Sequence, residues 1–329
     1  MFFTMNTTRI PLVLAIACLL AAPIGAQTTA AESSGPSMSA GGGTLLPLEP
    51  ARSSMSVPQS ALLGLVEGLT EFLPVSSTGH LTVIQRLLGL TETPEQTEAS
   101  DAFAICIQAG AIIAVFLVLF GRIKGMVSGL FGRDKDGLRL LGNLVVAFVP
   151  AGIIGFLLED RIKQYLFGVW PVAAAWFVGG IFILAVLNRR GTREGKALEG
   201  LGWQSALLIG LAQVLALWPG VSRSLATISV GLFVGLSVSA AVEFSFLLGL
   251  ATLGAATIYE GIHRGSQIVH MFGWTAPVVG LVVAAVSAFV AVRWMVDYLQ
   301  TRSLAVFGWY RIGAAAAVVA LVVGGVLIA

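Results

Sequence analysis

Glu67 and Glu71 are the first residues in this sequence whose types and spacing indicate chemistry. They lie four residues apart in an apolar stretch, so a helix would place both carboxylates on one face. Two carboxylates that close share a proton or hold a divalent cation such as Mg²⁺ or Ca²⁺, because two bare charges repel. The alternative is an acidic pair that lines a structural water-filled cavity. We take the pair as a candidate catalytic and metal-binding site.

Hydroxyl groups and one imidazole follow the acidic pair. Residues 76–80 read Ser-Ser-Thr-Gly-His and come soon after Pro74. Ser77 lies three residues before His80, so a tight turn permits a nucleophile and base pair between them. The alternative is that these hydroxyls satisfy backbone groups freed at a helix break. The sequence leaves both interpretations open.

Arg223 is the basic counterpart of this cluster. It is flanked by Ser222 and Ser224, and Thr227 follows it. Its guanidinium fork suits phosphate oxygens, and its alternative role is an ion pair with Glu243 or with the glutamates of the first cluster. We assign Glu243 itself to structural ion pairing. A buried ionisable group is costly unless it is paired or hydrated, so each of these charges indicates a functional site by default.

The composition indicates which kind of element positions these residues. Of 329 residues, 57% are hydrophobic and 11% are charged, whereas about a quarter of a soluble domain is charged. This excludes a soluble globular enzyme, and the net charge of +2 gives no reason to expect a nucleic-acid partner. With 39 glycines and a mean hydropathy of +0.91, the chain is typical of a polytopic α-helical membrane protein.

Six apolar stretches are long enough to cross a membrane. They lie at about residues 102–121, 138–158, 168–187, 238–259, 274–297 and 309–328. Two further stretches, 60–90 and 201–236, are apolar in composition but contain proline and too many polar side chains to face lipid. We therefore predict that each is a broken, re-entrant helical pair buried among the other helices.

The N-terminal part differs from the membrane domain, which we place at residues 58–329. Residues 1–26 have one basic residue, an apolar run and a small-residue end, which predicts a cleavable export signal; the alternative is an uncleaved anchor. Residues 27–57 are rich in small and polar residues and are expected to form a disordered tail. Cys18 and Cys106 are not expected to form a disulfide.

Basic loops orient the domain. Loops 122–139 and 188–200 hold five and four Lys or Arg residues, whereas loop 159–167 holds two. Two spans separate the rich loops, so both can lie in the cytoplasm. The segment that carries Glu67 then opens to the extracytoplasmic side.

A short internal similarity divides the domain into halves at about 58–190 and 200–329. Residues 64–67 read Gly-Leu-Val-Glu and residues 210–213 read Gly-Leu-Ala-Gln, and aligning the prolines that follow requires a one-residue gap. Three spans follow each copy. We predict an inverted repeat whose broken helices meet near the membrane midplane and present helix ends to an anion.

Two motifs in this sequence resemble the signatures of a known family. Residues 67–80, Glu-Gly-Leu-Thr-Glu-Phe-Leu-Pro-Val-Ser-Ser-Thr-Gly-His, and residues 219–227, Pro-Gly-Val-Ser-Arg-Ser-Leu-Ala-Thr, are similar to those of the bacterial undecaprenyl-diphosphate phosphatases, also called bacitracin-resistance proteins. The resemblance extends over about residues 58–329. It implies a multi-pass protein of the bacterial inner membrane that converts undecaprenyl diphosphate to undecaprenyl phosphate plus phosphate and so recycles the lipid carrier for cell-wall synthesis.

The resemblance also implies roles for individual residues. Glu67 and Glu71 belong to an acidic motif linked to the divalent cation. Ser77 is the proposed nucleophile, His80 the catalytic histidine, and Arg223 the ligand of the diphosphate. The neighbouring hydroxyl residues are expected to bind substrate, namely Ser76, Thr78, Ser222, Ser224 and Thr227.

This sequence departs from the family pattern at three places. Leu225 stands where the family usually has glycine, and Ala104 stands where many members have glutamate. The first 57 residues have no counterpart in the usual member, which begins close to the acidic motif.

The main alternative function is a transporter or flippase of an anionic, phosphorylated lipid, because inverted repeats with broken helices are typical of transporters. A set of Glu, Ser and His residues lies in one half. Phosphoryl chemistry uses such a set, whereas substrate binding alone does not require it, so the set favours hydrolysis. The sequence leaves open whether Ser77 or a water attacks, and whether two copies pair as a homodimer.

Overall fold

The computed structural model describes residues 55–187 and 195–328, and in these ranges the regular structure is helical. The helices are α1 Val57–Thr70, α2 Ser77–Leu87, α3 Pro94–Val118, α4 Phe120–Leu130, α5 Lys135–Leu166, α6 Val169–Phe182, α7 Trp203–Val214, α8 Arg223–Phe233, α9 Val238–Phe272, α10 Thr275–Thr301 and α11 Ala305–Val323. A π-helical turn at Ile183–Leu187 continues α6. The prediction of an all-α protein is confirmed.

Six helices of the described chain are long and apolar enough to cross a membrane, as predicted. The apolar windows are Pro94–Val118, Lys135–Leu158, Val169–Leu187, Val238–Ser266, Thr275–Leu299 and Ala305–Val323. They coincide with the six stretches that the sequence indicated, because a run of about 20 apolar residues is itself the signal for a spanning helix.

The two remaining apolar stretches are helices interrupted near their middle. Helix α1 ends at Thr70 and α2 begins at Ser77, while α7 ends at Val214 and α8 begins at Arg223. We call residues 71–76 the first break and residues 215–222 the second break. Each break contains a proline, which cannot donate a backbone hydrogen bond. That the two pairs are re-entrant stays a prediction.

The two breaks share a backbone conformation that corrects the predicted register between the halves. Ser76 has φ of 71° and Ser222 has φ of 74°, and each is the residue before an eleven-residue helix. Ser222 follows Ser76 by the same number of residues as Gly210 follows Gly64. The one-residue gap is therefore unnecessary, because the equivalent residues are the strained serines and not the prolines. The inverted orientation of the halves stays a prediction.

Glycines let the first helix of each interrupted pair pack closely on a long helix. In α1, a Cβ at Gly64 would lie 3.0 Å from the carbonyl carbon of Gly280 in α10. In α7, a Cβ at Gly210 would lie 2.6 Å from the Cα of Ala147 in α5. Small residues bring helix backbones close enough for dense van der Waals packing, which lipid tails cannot replace. Each interrupted pair is therefore held by a helix of the other half.

Ion pairs connect α9 with the helices around α3. At one end, Arg122 of α4 bonds Glu243 of α9 at 2.6 Å and also Glu199 at 2.6 Å. The hydrogen bond from Arg122 lowers the pKa of the Glu199 carboxyl. At the other end, Arg264 of α9 lies 3.4 Å from Glu98 of α3. The structural pairing expected for Glu243 is present, and its partner is Arg122.

Of the predicted N-terminal segments, the structure describes only residues 55–57. The export signal at 1–26 and the tail up to residue 54 lie outside the described residues. Met55 is buried, and Ser56 forms a capping box with Gln59 at the start of α1. Met55 and Ser56 therefore belong to the described helical fold, because the cap of α1 is part of it.

Replacing Gly64 with alanine is expected to destabilise the protein by about 1–3 kcal/mol, because the new methyl group forces α1 away from α10. Thermal unfolding in detergent measures the effect. The matched control is Gly254→Ala in α9, where a Cβ meets nothing within 4 Å. Equal midpoints for the two variants would contradict the close α1–α10 contact.

Candidate active site

The two breaks contact each other inside the helical bundle. The backbone N–H of Gly220 in the second break donates to Ser76 Oγ at 3.1 Å. In return, Ser222 Oγ donates to the carbonyl of Leu73 in the first break at 3.5 Å. Helices α2 and α8 begin at this junction, so their N-termini lie there. Free N–H groups and the positive dipole end of a helix favour an anion there.

Glu71 connects the hydroxyl of Ser77 with the guanidinium of Arg223. Ser77 Oγ donates a short hydrogen bond to Glu71 Oε2. Arg223 Nη2 donates to Glu71 Oε1 at 3.2 Å. The side chains of Glu71 and Arg223 are 7% and 9% exposed, so this ion pair is nearly excluded from water. A buried carboxylate against a serine hydroxyl is an arrangement that can activate a nucleophile.

Several further contacts hold the Arg223 guanidinium, but none of them uses its Nε–H donor. Its Nη1 donates to the carbonyl of Ser245 at 2.8 Å, and its Cζ lies 5.2 Å from the ring centre of Phe72. A Cβ at Gly249 would come within 2.5 Å of that Cζ, so a glycine makes room for the guanidinium. The buried Nε has no hydrogen-bond partner among the described residues. This N–H can bind an oxyanion without displacing another contact.

Glu67 lies one helical turn before Glu71 and is 1% exposed. Its Oε1 has no hydrogen-bond partner in the described part of the chain. A buried carboxylate oxygen with no donor requires a proton or a cation. Nowhere in residues 55–187 and 195–328 do three or more His, Cys, Asp or Glu side chains form a candidate metal cluster. Any cation held by these two carboxylates would need further oxygen ligands.

His80 is bound to residues other than Ser77. Its Nδ1 lies 2.7 Å from the carbonyl oxygen of Ser76, and its Nε2 lies 2.7 Å from the hydroxyl of Tyr310. The ring also packs against Trp176, with centroids 4.5 Å apart. The structure therefore pairs Ser77 with Glu71, and not with His80 as the spacing had suggested.

The other hydroxyl residues predicted to bind substrate differ in their surroundings. Ser76 and Ser222 lie at the breaks, where Ser222 Oγ also accepts the N–H of Leu225 at 3.2 Å. Ser224 and Thr227 are buried in α8, and Thr227 bonds the hydroxyl of Ser245 at 2.7 Å. Thr78 is exposed.

Two of the departures from the family pattern fall on helical backbone. Leu225 is in α8 and Ala104 is in α3. Helical φ and ψ angles do not require glycine, so leucine at position 225 is compatible with the turn before it.

Sequence reasoning missed Arg311, which the structure places at the junction of the two breaks. This side chain is 0% exposed and donates to the carbonyls of Pro74 at 3.3 Å, Ala175 at 2.8 Å and Gly220 at 2.7 Å. Arg311 lies near the first residue of the predicted span 309–328, and no role is predicted for it from the sequence. Helix α11 begins earlier, at Ala305, so Arg311 lies within the helix and not at its end. Placing the start of the apolar span at Ala305 would have indicated a buried cation.

Comparison with known proteins identifies close relatives of this chain. A family model described as Bacitracin resistance protein BacA matches residues 60–317. An undecaprenyl-diphosphatase of Sorangium cellulosum is 46% identical over 263 residues, 79% of this chain and 84% of the relative. An undecaprenyl-diphosphatase of Nitrosospira multiformis and undecaprenyl-diphosphatase 2 of Rhodospirillum rubrum are each 44% identical, over 77% of this chain and 90% of each relative.

Replacing Arg311 with methionine is expected to destabilise the protein by about 3 kcal/mol, because three buried carbonyl groups lose a charged donor. The measurement is thermal unfolding in detergent. Arg293→Met is the matched control, because Arg293 is exposed on α10 and should shift the midpoint little. If both substitutions lower the midpoint equally, Arg311 does not hold the breaks together.

Proposed function

This chain belongs to the bacitracin resistance protein BacA family, and we propose that it hydrolyses undecaprenyl diphosphate to undecaprenyl phosphate and inorganic phosphate. The product is the lipid carrier in the form that cell-wall synthesis uses again. The observation that carries this proposal is the buried contact of Ser77 and Arg223 with the same carboxylate, Glu71. This contact supports the assignment of a hydroxyl nucleophile, a base and a phosphate ligand to one site.

Arg223 and the two helix N-termini supply positive potential for the diphosphate. The free Nε–H of Arg223 is a donor for a phosphate oxygen, and the guanidinium keeps its orientation through Ser245 and Glu71. Groups that are fixed before the substrate binds stabilise developing charge without reorganisation. Arg311 adds a second buried cation close to the junction. The site therefore favours a ligand with several negative charges.

Ser77 is the nucleophile in the mechanism we propose. Its Oγ attacks the terminal phosphorus while Glu71 Oε2 takes the hydroxyl proton. The bond between that phosphorus and the bridging oxygen breaks, and undecaprenyl phosphate leaves with the electron pair. Water then cleaves the phosphoserine to release inorganic phosphate and restore the hydroxyl. We assign the role of base to Glu71 because its Oε2 accepts the hydrogen bond of the Ser77 hydroxyl.

A divalent cation fits the acidic pair and would be held by Glu67 and Glu71. The buried Oε1 of Glu67 has no other partner in the described residues, which is the condition a cation would satisfy. Mg²⁺ commonly binds one or two carboxylates together with water and substrate phosphate oxygens. Such an ion would neutralise charge on the diphosphate.

Transport of an anionic lipid would use the same helical architecture. The contact between Ser77 and Glu71 favours hydrolysis, because a binding site that only releases its ligand needs no hydroxyl held against a carboxylate.

The purified protein in detergent micelles should release phosphate from undecaprenyl diphosphate, a condition in which transport is impossible. We expect Ser77→Ala and Arg223→Ala each to lower kcat/KM by roughly 100-fold or more, because each removes a group that acts in the transition state. The matched controls are Ser266→Ala and Arg293→Ala, both exposed. Absence of phosphate release by the folded wild-type protein would contradict hydrolysis and leave transport as the better hypothesis.

We propose that the site opens to the extracytoplasmic side of the inner membrane. The predicted orientation places the loop before α3 outside and the loop between α4 and α5 in the cytoplasm. In a background without Cys18 and Cys106, a cysteine at the exposed Glu92 should react with an impermeant thiol reagent in intact cells. A cysteine at the exposed Lys135 should react only after lysis. The reverse pattern would place the reaction on the cytoplasmic side.

A further inference from the structure

Hydrogen bonds connect Tyr310 of α11 with the first break through His80. The Tyr310 hydroxyl lies 2.7 Å from His80 Nε2, and His80 Nδ1 lies 2.7 Å from the Ser76 carbonyl oxygen. Ser76 directly precedes Ser77, whose hydroxyl bonds Glu71. A side chain on the last helix is thus linked to the residue before the nucleophile.

The chemistry of the partners determines the direction of each hydrogen bond. A carbonyl oxygen only accepts, so His80 Nδ1 carries the proton and donates to Ser76. In the neutral ring, Nε2 is then an acceptor, and the Tyr310 hydroxyl donates its hydrogen bond to it. The Ser76 carbonyl therefore selects the Nδ1–H tautomer, and the Tyr310 hydroxyl stabilises that tautomer by donating to Nε2.

Aromatic packing holds the imidazole in this orientation. Tyr310 stacks on His80 with centroids 5.7 Å apart and an angle of 17° between the rings. Trp176 packs against the same imidazole at 4.5 Å. A Cβ at Gly79 would lie 2.9 Å from Trp176 Nε1, so only glycine leaves room for this indole. The ring is thus fixed by packing as well as by hydrogen bonds.

The backbone at Ser76 needs this support. Its φ of 71° is in the left-handed region, which residues other than glycine rarely adopt. The Ser76 carbonyl is oriented by His80, while the Ser76 side chain accepts the N–H of Gly220. A residue in such a conformation persists only when its surroundings determine it. If the peptide after Ser76 rotates, Ser77 Oγ leaves Glu71.

We propose that Tyr310 is a positioning residue for the nucleophile. It acts through His80, whose orientation and Nδ1–H tautomer it stabilises, and His80 in turn holds the strained Ser76 peptide that directs Ser77 toward Glu71. The inference rests on the proposed hydrolysis and assigns this reaction a residue outside both sequence motifs.

Tyr310→Phe tests the proposal because it removes the hydroxyl and keeps the stacked ring. We expect kcat for undecaprenyl diphosphate to fall about tenfold with KM changed less than twofold, because misplacing a nucleophile affects the chemical step. In a His80→Ala background, the same substitution should cause no further loss, because the residue through which Tyr310 acts is absent. The matched control is Tyr165→Phe, which removes the hydroxyl of an exposed tyrosine.

Two kinetic results would overturn the proposal. One is wild-type kcat in Tyr310→Phe, and the other is an equal loss in the presence and absence of His80, which would indicate a general effect on stability. Thermal unfolding of the Tyr310→Phe and His80→Ala variants detects such a loss of stability independently of activity.

A spectroscopic measurement tests the contact without any activity. The chain has three histidines, so ¹⁵N-histidine NMR of the wild-type protein can be assigned with the His80→Ala variant. We expect an Nδ1–H tautomer for His80, and a changed Nε2 resonance in Tyr310→Phe. An Nε2–H tautomer in the wild type would overturn the proposal. If the wild-type protein shows no hydrolysis, the proposed function fails, and this spectrum still decides the Tyr310 contact.

Discussion

Two interrupted helices in an apolar interior free backbone groups that water cannot satisfy, and the rest of the structure depends on how these groups find partners. In this protein the breaks satisfy each other. Gly220 donates to Ser76, Ser222 donates to the Leu73 carbonyl, and Arg311 donates to a carbonyl of each break. Because an unpaired buried polar group is costly, the two breaks are stable only together. The junction that results is where the ionisable side chains meet.

Charge at this junction follows the same constraint. Arg311 is fully buried and bonds only neutral carbonyl oxygens in the contacts described, while Arg223 shares Glu71 with a serine hydroxyl. Breaking the buried ion pair of Arg223 and Glu71 would leave an uncompensated charge, so each of these two groups depends on the other being in place. An anionic substrate adds the negative charge that two buried guanidinium groups favour. In the mechanism we propose, binding and catalysis therefore use interactions that the fold already requires.

Small residues make this arrangement geometrically available. Gly64 and Gly210 bring the first helix of each interrupted pair against a long helix, Gly249 makes room for the Arg223 guanidinium, and Gly79 makes room for Trp176 beside His80. A methyl group at any of these positions would overlap backbone or a buried side chain. The high glycine content of the chain thus serves close packing around the site as well as packing between spanning helices.

The sequence by itself determined the helical class, the six long apolar helices and the two interrupted stretches, because hydropathy and proline act locally along the chain. It also indicated Glu67, Glu71, His80 and Arg223, because burying an ionisable group is costly unless the group is paired or hydrated. Ser77 was indicated by its position three residues before His80. Only the tertiary structure decided how these residues pair. Ser77 contacts Glu71 within the first motif, whereas His80 contacts Tyr310. Only helix packing brings together His80 and Tyr310, which are 230 positions apart, and spacing within a motif does not contain that information.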